Sequence, residues 1–156
     1  IYVAGDSADV WAAPDQFQLD ENGYPTLVAG VPPDDYSADG YRRTYLGRSP
    51  ETGWEAIVMS WQEGNRTSIH AHPQFAGYFF ADGRFLVEIF APAAAGYARL
   101  QRSVVVEAPL GFYAVGAEGS FENHIHRITC LSPTGHSLHV YSDDALRGTV
   151  YRETMQ

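Results

Sequence analysis

A succession of short β-like runs, separated by turn signals, fills most of the chain and constrains its fold more than any other feature. The nine runs cover residues 41–47, 54–62, 68–72, 76–80, 84–92, 97–108, 111–115, 124–132 and 136–142. They are rich in β-branched and aromatic residues and are bounded by Gly, Pro, Asn, Asp and Ser, as strands typically are. Outside them, only "SDDAL" at 142–146 suggests a helical turn. The pattern therefore predicts an all-β protein, a sandwich or a small barrel.

Two turn sequences suggest hairpins. Asp82-Gly83 separates two apolar runs, and "SPTG" at 132–135 separates two more. Gly and Asp tolerate the positive φ of tight hairpin turns. If Pro133 and Thr134 form the tip of the second turn, six residues pair across it and share one face: His126 with Tyr141, Ile128 with His139, and Cys130 with Ser137. A register slip of one residue would reverse every face.

The length of 156 residues fits a single domain. Residues 1–40 repeat Asp and Pro, and only "YPTLVAG" at 24–30 resembles a strand there. We therefore expect an irregular amino-terminal arm over residues 1–40 and a β-barrel over residues 41–156.

The charge indicates the class of binding partner, and the cysteine count decides whether a disulfide can form. The formal net charge of −9 opposes binding to nucleic acid or to an anionic membrane, so a small molecule is the expected partner. Cys130 is the single cysteine, which excludes an internal disulfide. No membrane-length apolar run and no signal-peptide pattern is present, and a cytoplasmic location is the expectation.

The pattern of histidines suggests a metal site. His70 and His72 lie one residue apart in a strand, so both side chains project from one face, roughly 6 to 7 Å apart along the strand. His124 or His126 could supply a third ligand from a neighbouring strand, and alternation does not separate them because both have the same parity. Imidazole ligands alone also leave nickel and zinc open.

Four ordered segments resemble the cysteine dioxygenase family of thiol dioxygenases. They are "YRR" at 41–43, "SWQEGNRTSIHAH" at 60–72, "HRI" at 126–128 and "SLHVYS" at 137–142. The second segment also matches the first cupin motif, a glycine followed after five residues by His-x-His. The resemblance covers roughly residues 41–142 and implies a single cupin jelly-roll β-barrel.

The resemblance also implies a set of functional residues. Iron(II) is expected on His70, His72 and His126, which favours His126 over His124. No acidic ligand follows in "PQFAG" at 73–77, consistent with a three-histidine site that leaves positions open for a thiolate and dioxygen. Ser137, His139 and Tyr141 match a hydrogen-bonded relay beside the iron. Tyr41 and Arg43 match substrate-pocket residues, with the guanidinium binding a carboxylate.

The implied reaction adds both atoms of dioxygen to the sulfur of a small thiol carboxylate, converting L-cysteine to its sulfinate, with Tyr141 donating a hydrogen bond to the oxygen. A position that bears a cross-linking cysteine in animal members corresponds to Gly77, so Tyr141 is expected to be unmodified, as in bacterial members. Alternatives are 3-mercaptopropionate or another small thiol as substrate, or a non-catalytic cupin that binds metal and metabolite. We expect a monomer or a weak homo-oligomer.

Overall fold

Strands dominate the computed structural model, which describes residues 17–19, 25–27 and 40–156. They are β1 (Phe17–Leu19), β2 (Pro25–Leu27), β3 (Arg42–Arg48), β4 (Glu55–Gln62), β5 (Ile69–His72), β6 (Phe75–Asp82), β7 (Arg84–Pro92), β8 (Tyr97–Glu107), β9 (Leu110–Val115), β10 (Asn123–Cys130), β11 (Thr134–Tyr141) and β12 (Val150–Glu153). A 3₁₀ turn at Ala145–Arg147 accounts for the helical signal near "SDDAL". All nine predicted runs are strands, and the all-β prediction is confirmed.

Three strands were not among the nine runs of the main pattern. β1 and β2 pair with each other in the segment predicted as an irregular arm, and β2 falls within "YPTLVAG". The rest of that arm lies outside the described residues. β12 was not predicted because its four residues, mostly exposed, carry no apolar alternation.

The main strands form two sheets that face each other. One has the order β3-β4-β11-β6-β9, and the other is a closed ring, β10-β5-β12-β8-β7. The core between them is largely aromatic, with Trp61, Tyr78, Phe80 and Phe85 fully buried. A smaller apolar cluster is formed by β5, β7, β8 and β10 and contains Ile69, Ala71, Phe90, Ala98 and Ile125.

Both predicted hairpins are wrong. β6 and β7, on either side of Gly83, belong to different sheets, and so do β10 and β11. The two turns are crossovers that lie side by side: the Arg84 amide donates to Ser132 Oγ at 2.8 Å, and the Leu131 amide donates to the Arg84 carbonyl at 2.8 Å. Gly83 has a φ of 94°, which favours glycine whether the chain turns back or crosses over. The turn residues therefore could not distinguish the two topologies.

The six residues assigned to one face nevertheless all point into the interior. Each is at most 5% exposed, although three come from β10 in the ring and three from β11 in the other sheet: His126, Ile128, Cys130, Ser137, His139 and Tyr141. They meet across the space between the sheets and are not hydrogen-bonded pairs on one ladder. The prediction of which residues face inward is correct although the strand pairing is wrong, because each strand buries one face against the same core.

Among the described residues, no helix has the length and apolar character needed to cross a bilayer.

Candidate functional site

Two adjacent strands of the ring bring three histidines together. His126 on β10 is the ladder partner of His70 on β5, and His72 is the partner of Asn123. One ligand-capable atom from each of His70, His72 and His126 lies within 4.8 Å of the others. His72 and His126 are almost completely buried, and no carboxylate joins the group in the described part of the chain. This spacing suits a single metal ion bound by three imidazoles.

His70 and His72 each use one ring nitrogen in a hydrogen bond to a backbone carbonyl, which leaves the other nitrogen free to bind a metal. His70 Nδ1 lies 2.8 Å from the Ser68 carbonyl, and His72 Nδ1 lies 3.0 Å from the His124 carbonyl. A carbonyl only accepts, so each Nδ1 carries the proton and each Nε2 keeps its lone pair. The buried His72 Nε2 has no hydrogen-bond partner among the described residues. A metal ion bound between the three imidazoles would supply the partner that this buried nitrogen lacks, so these residues fit a metal ion.

The electrostatic environment keeps the three rings neutral. Burial, followed by the charge that neighbouring histidines would carry, holds the pKa of His72 and of His126 well below the ordinary value of 6.5. Burial also lowers the pKa of His70. A metal binds the neutral imidazole, so the site is in its ligand form at neutral pH.

Opposite the histidines, β11 carries a chain of buried hydrogen bonds. Ser137 Oγ lies 2.6 Å from His139 Nε2, and His139 Nδ1 lies 3.1 Å from the Tyr141 hydroxyl. The three side chains share one face of the strand because they alternate along it. Burial lowers the pKa of His139 to about 3 and raises that of Tyr141, so both are uncharged at neutral pH.

Trp61 holds the serine at the start of this chain. Its indole Nε1, which can only donate, donates to Ser137 Oγ at 2.9 Å. His139 Nε2 is then the one acceptor for the Ser137 proton among the described residues, so Ser137 donates to Nε2 and His139 Nδ1–H donates to the Tyr141 oxygen. The Tyr141 hydroxyl proton is thereby free to point into the cavity. Nothing in the sequence pattern indicated the contact between Trp61 and Ser137.

Two of the three histidines and two members of the relay line one cavity of about 150 Å³ between the sheets. Its wall includes His70, His126, His139 and Tyr141, together with Arg43 of β3 and Tyr41, which immediately precedes that strand. Arg43 is the ladder partner of Met59, which also lines the cavity, whereas Arg42 pairs with Ser60 and takes the opposite face of the strand. Arg43, and not Arg42, is thus the arginine in the cavity wall.

An apolar part of the wall was not predicted. Ala145 and Leu146 of the 3₁₀ turn line the cavity together with Gly148 and Val150. The buried carboxylate of Glu55 accepts a hydrogen bond from the Ala145 amide at 2.7 Å and so holds the turn against β4. Short apolar residues after a turn give no sequence signal of a cavity wall.

The surroundings of Tyr141 differ from the predicted correspondence. Its cross-strand neighbour on β6 is Ala76, which is buried in the core between the sheets. A Cβ on Gly77 would meet the Phe75 ring at 3.1 Å, on the other face of β6. Cys130, the single cysteine, has its Sγ 3.4 Å from the Ser132 carbonyl. That Tyr141 is unmodified stays a prediction.

The first 42 residues are similar to a different kind of protein. A family model of 4-alpha-glucanotransferase, glycoside hydrolase family 77, matches residues 1–42. The enzyme of that name from Thermus thermophilus is 64% identical over 42 residues, which are 27% of this chain and 8% of the relative. The chloroplastic enzyme of Oryza sativa is 51% identical over 57 residues, 36% of this chain and 9% of the relative. The chain thus spans about a tenth of the length of these relatives.

Solved structures resemble the two-sheet part. An oxalate oxidase is 18% identical and covers 76% of this chain and 58% of its own, with a TM-score of 0.55. A cupin-superfamily protein from Desulfitobacterium hafniense is 12% identical, and the match covers 69% of this chain and 82% of that protein with a TM-score of 0.51. A cupin-2 domain from Rhodospirillum rubrum is 10% identical, and the match covers 72% of this chain and 66% of that protein with a TM-score of 0.53. These likenesses confirm the cupin jelly-roll fold.

Proposed function

We propose that this protein is an iron(II)-dependent thiol dioxygenase that adds both atoms of dioxygen to the sulfur of a small thiol carboxylate, with L-cysteine giving cysteine sulfinate. One observation carries the proposal: two members of the three-histidine group, His70 and His126, line the same small cavity as Tyr141, whose hydroxyl is oriented by His139, and Arg43 lies in the wall of that cavity. The resemblance of four ordered segments to cysteine dioxygenases supports it. In this reaction the sulfur supplies the electrons that dioxygen takes up, so no external reductant is needed.

His70, His72 and His126 would hold the metal through Nε2. Bound there, iron(II) would stabilise a substrate thiolate and bring dioxygen next to it. Three neutral ligands leave the site with the charge of the ion itself, which favours an anionic ligand such as a thiolate.

Arg43 and Tyr41 would hold the far end of the substrate. A guanidinium pairs with a carboxylate through two parallel hydrogen bonds, which fixes both the position and the orientation of a small molecule. A cavity of about 150 Å³ suits a molecule of a few heavy atoms. The carboxylate and the sulfur would then lie at opposite ends of the cavity.

Tyr141 would donate its hydroxyl proton in a hydrogen bond to the reacting oxygen. The raised pKa keeps this hydroxyl protonated at neutral pH. The relay from Ser137 through His139 holds it in the donating orientation, and a donor oriented in advance stabilises developing negative charge without reorganisation.

A second substrate is favoured by a specific feature of the cavity. The described residues that line it include neither Asp nor Glu. The ammonium group of L-cysteine would therefore find no carboxylate among them, whereas Arg43 would still bind the carboxylate of a thiol that has no amino group. This favours 3-mercaptopropionate as the alternative substrate.

Dioxygen consumption distinguishes these candidates. The purified full chain is loaded anaerobically with iron(II), and dioxygen uptake is followed with L-cysteine, 3-mercaptopropionate and cysteamine in parallel. Metal-free protein and free iron(II) serve as controls. Fastest uptake with one of the two carboxylates supports the proposal and identifies the thiol. Iron-loaded protein that consumes no dioxygen with any thiol would contradict it and favour a cupin that binds metal and metabolite without turnover.

A further inference from the structure

His124 adopts an unusual backbone conformation beside the metal-binding group. Its φ is 49°, and it is the one non-glycine residue with positive φ in the described ranges. The ladder between β10 and β5 shifts register between Asn123 and His126, which is a β-bulge. Bulges re-aim side chains, and histidine is among the residues that tolerate positive φ. Here the bulge places the His124 ring behind His126, with ring centroids 4.7 Å apart.

The hydrogen bond between these two rings decides which nitrogen of His126 is free. His126 Nδ1 lies 2.9 Å from His124 Nδ1, so only one of the two nitrogens carries the shared proton. If the proton is on His126, its Nε2 has a lone pair for a metal. If it is on His124, His126 Nε2 is protonated and cannot ligate.

Tyr78 is compatible with the first arrangement. Its buried hydroxyl lies 3.3 Å from His124 Nδ1 and can donate to that nitrogen when the nitrogen is an acceptor. The contact from His126 Nδ1, at 2.9 Å, is shorter and makes His126 the main donor to the single lone pair of His124 Nδ1.

His126 differs in this respect from the other two ligands. Backbone carbonyls orient His70 and His72, and a carbonyl cannot become a donor. The orientation of His126 depends on the His124 side chain, so a substitution at His124 removes it while the His124 carbonyl that accepts from His72 Nδ1 is still present. Outer hydrogen-bond partners of this kind contribute strongly to metal affinity.

We propose that His124 is a positioning residue that accepts the Nδ1 proton of His126 and thereby directs His126 Nε2 to the metal. This rests on the metal-binding part of the proposed function and is independent of the thiol chemistry. His124 itself stays outside the ligand set, with its own proton on Nε2.

The experiment compares two substitutions that both tolerate positive φ. His124→Asn places a side-chain oxygen near the position of Nδ1 and keeps an acceptor, whereas His124→Gly removes it. Affinity for Co(II), used as a spectroscopic probe, is measured by titrating the metal-free proteins and following the visible absorption. We expect the affinity to fall about 10- to 100-fold in His124→Gly and to recover most of the wild-type value in His124→Asn.

A second measurement does not depend on any variant folding. Two-bond ¹H–¹⁵N correlation spectra of the metal-free wild type assign the protonated nitrogen of each ring, and we expect Nδ1–H for His126 and Nε2–H for His124. Nε2–H on His126 would overturn the inference, as would equal Co(II) affinities of wild type and His124→Gly. A wild type that binds no Co(II) at all would instead contradict the metal site itself.

Discussion

Trp61 and Ser137, 76 residues apart in the chain, are joined by a buried hydrogen bond of 2.9 Å from the indole Nε1 to the serine Oγ. The indole can only donate, so the Ser137 proton is directed to His139 Nε2, its one acceptor among the described residues, and His139 Nδ1–H donates to Tyr141. A residue on β4 thus anchors the serine at which the relay begins.

Trp61→Phe tests this orientation. We expect a loss of about 1 kcal/mol in the free energy of unfolding from the missing hydrogen bond, with a further cost from the smaller ring. We also expect kcat to fall by about tenfold, because Ser137 loses its fixed orientation. Trp54→Phe is the matched control, since Trp54 stacks on Phe75 outside the relay. Equal kcat values in the two variants would remove Trp61 from the relay.

Tyr141→Phe removes the hydroxyl at the end of the relay. We expect metal and thiol to bind nearly as in the wild type, while kcat falls about 100- to 1,000-fold because a preorganised donor is lost. Metal content, thiol binding by spectroscopic titration and steady-state rates check this. A variant with the wild-type rate would show that the hydroxyl takes no part in the reaction.

Arg43→Ala separates recognition of the carboxylate from recognition of the thiol. We expect KM for L-cysteine and 3-mercaptopropionate to rise about 10- to 100-fold, the size of a lost charge-assisted hydrogen-bond pair, and KM for cysteamine to change little. Arg42→Ala is the control, because Arg42 lies on the opposite face of β3. If all three thiols are affected equally, Arg43 does not bind the carboxylate.

His72→Ala tests the ligand set. We expect the purified variant to lose its bound metal, because the removed Nε2 is the buried nitrogen without a partner among the described residues. Elemental analysis after iron loading measures the occupancy. His136→Ala, which removes a histidine that contacts Asp82 away from the cavity, is expected to retain the metal. Full occupancy in His72→Ala would exclude His72 as a ligand.

We expect the metal-free protein to become less stable as the pH falls below 6.5. Burial lowers the pKa of His139 to about 3, below the 6.5 of an exposed histidine. Between these values the unfolded chain binds a proton that the folded protein does not, so the free energy of unfolding decreases as pH falls from 6.5. The slope for this group approaches about 1.4 kcal/mol per pH unit. Denaturant titrations should show a shallower dependence for His139→Gln, and equal slopes would contradict the assignment.

Much of the fold was predictable because the signals were local. Alternation identified nine strands and placed Ser137, His139 and Tyr141 on one buried face. The pairing of strands was not local, since Gly83 and the "SPTG" turn are equally compatible with a hairpin and with a crossover between sheets. The wrong pairing left the faces correct because the two sheets bury their inner faces against one core.

The candidate site could be predicted only in part from the sequence. His70 and His72 follow from their spacing, but His124 and His126 have the same parity, and the bulge that places one ring behind the other depends on the ladder with β5. Contacts such as Trp61 with Ser137 join residues far apart in the chain and leave no periodic pattern. The cavity wall from Ala145 and Leu146 also depends on a long-range bond, from Glu55.

The central claim is that both oxygen atoms of dioxygen are transferred to sulfur at the three-histidine site, and isotope labelling tests it most directly. Iron-loaded protein is incubated with ¹⁸O₂ and its preferred thiol, and the product is analysed by mass spectrometry. We predict a sulfinic acid that contains two ¹⁸O atoms. A disulfide accompanied by peroxide, or a product with ¹⁸O absent from the sulfur, would contradict the account.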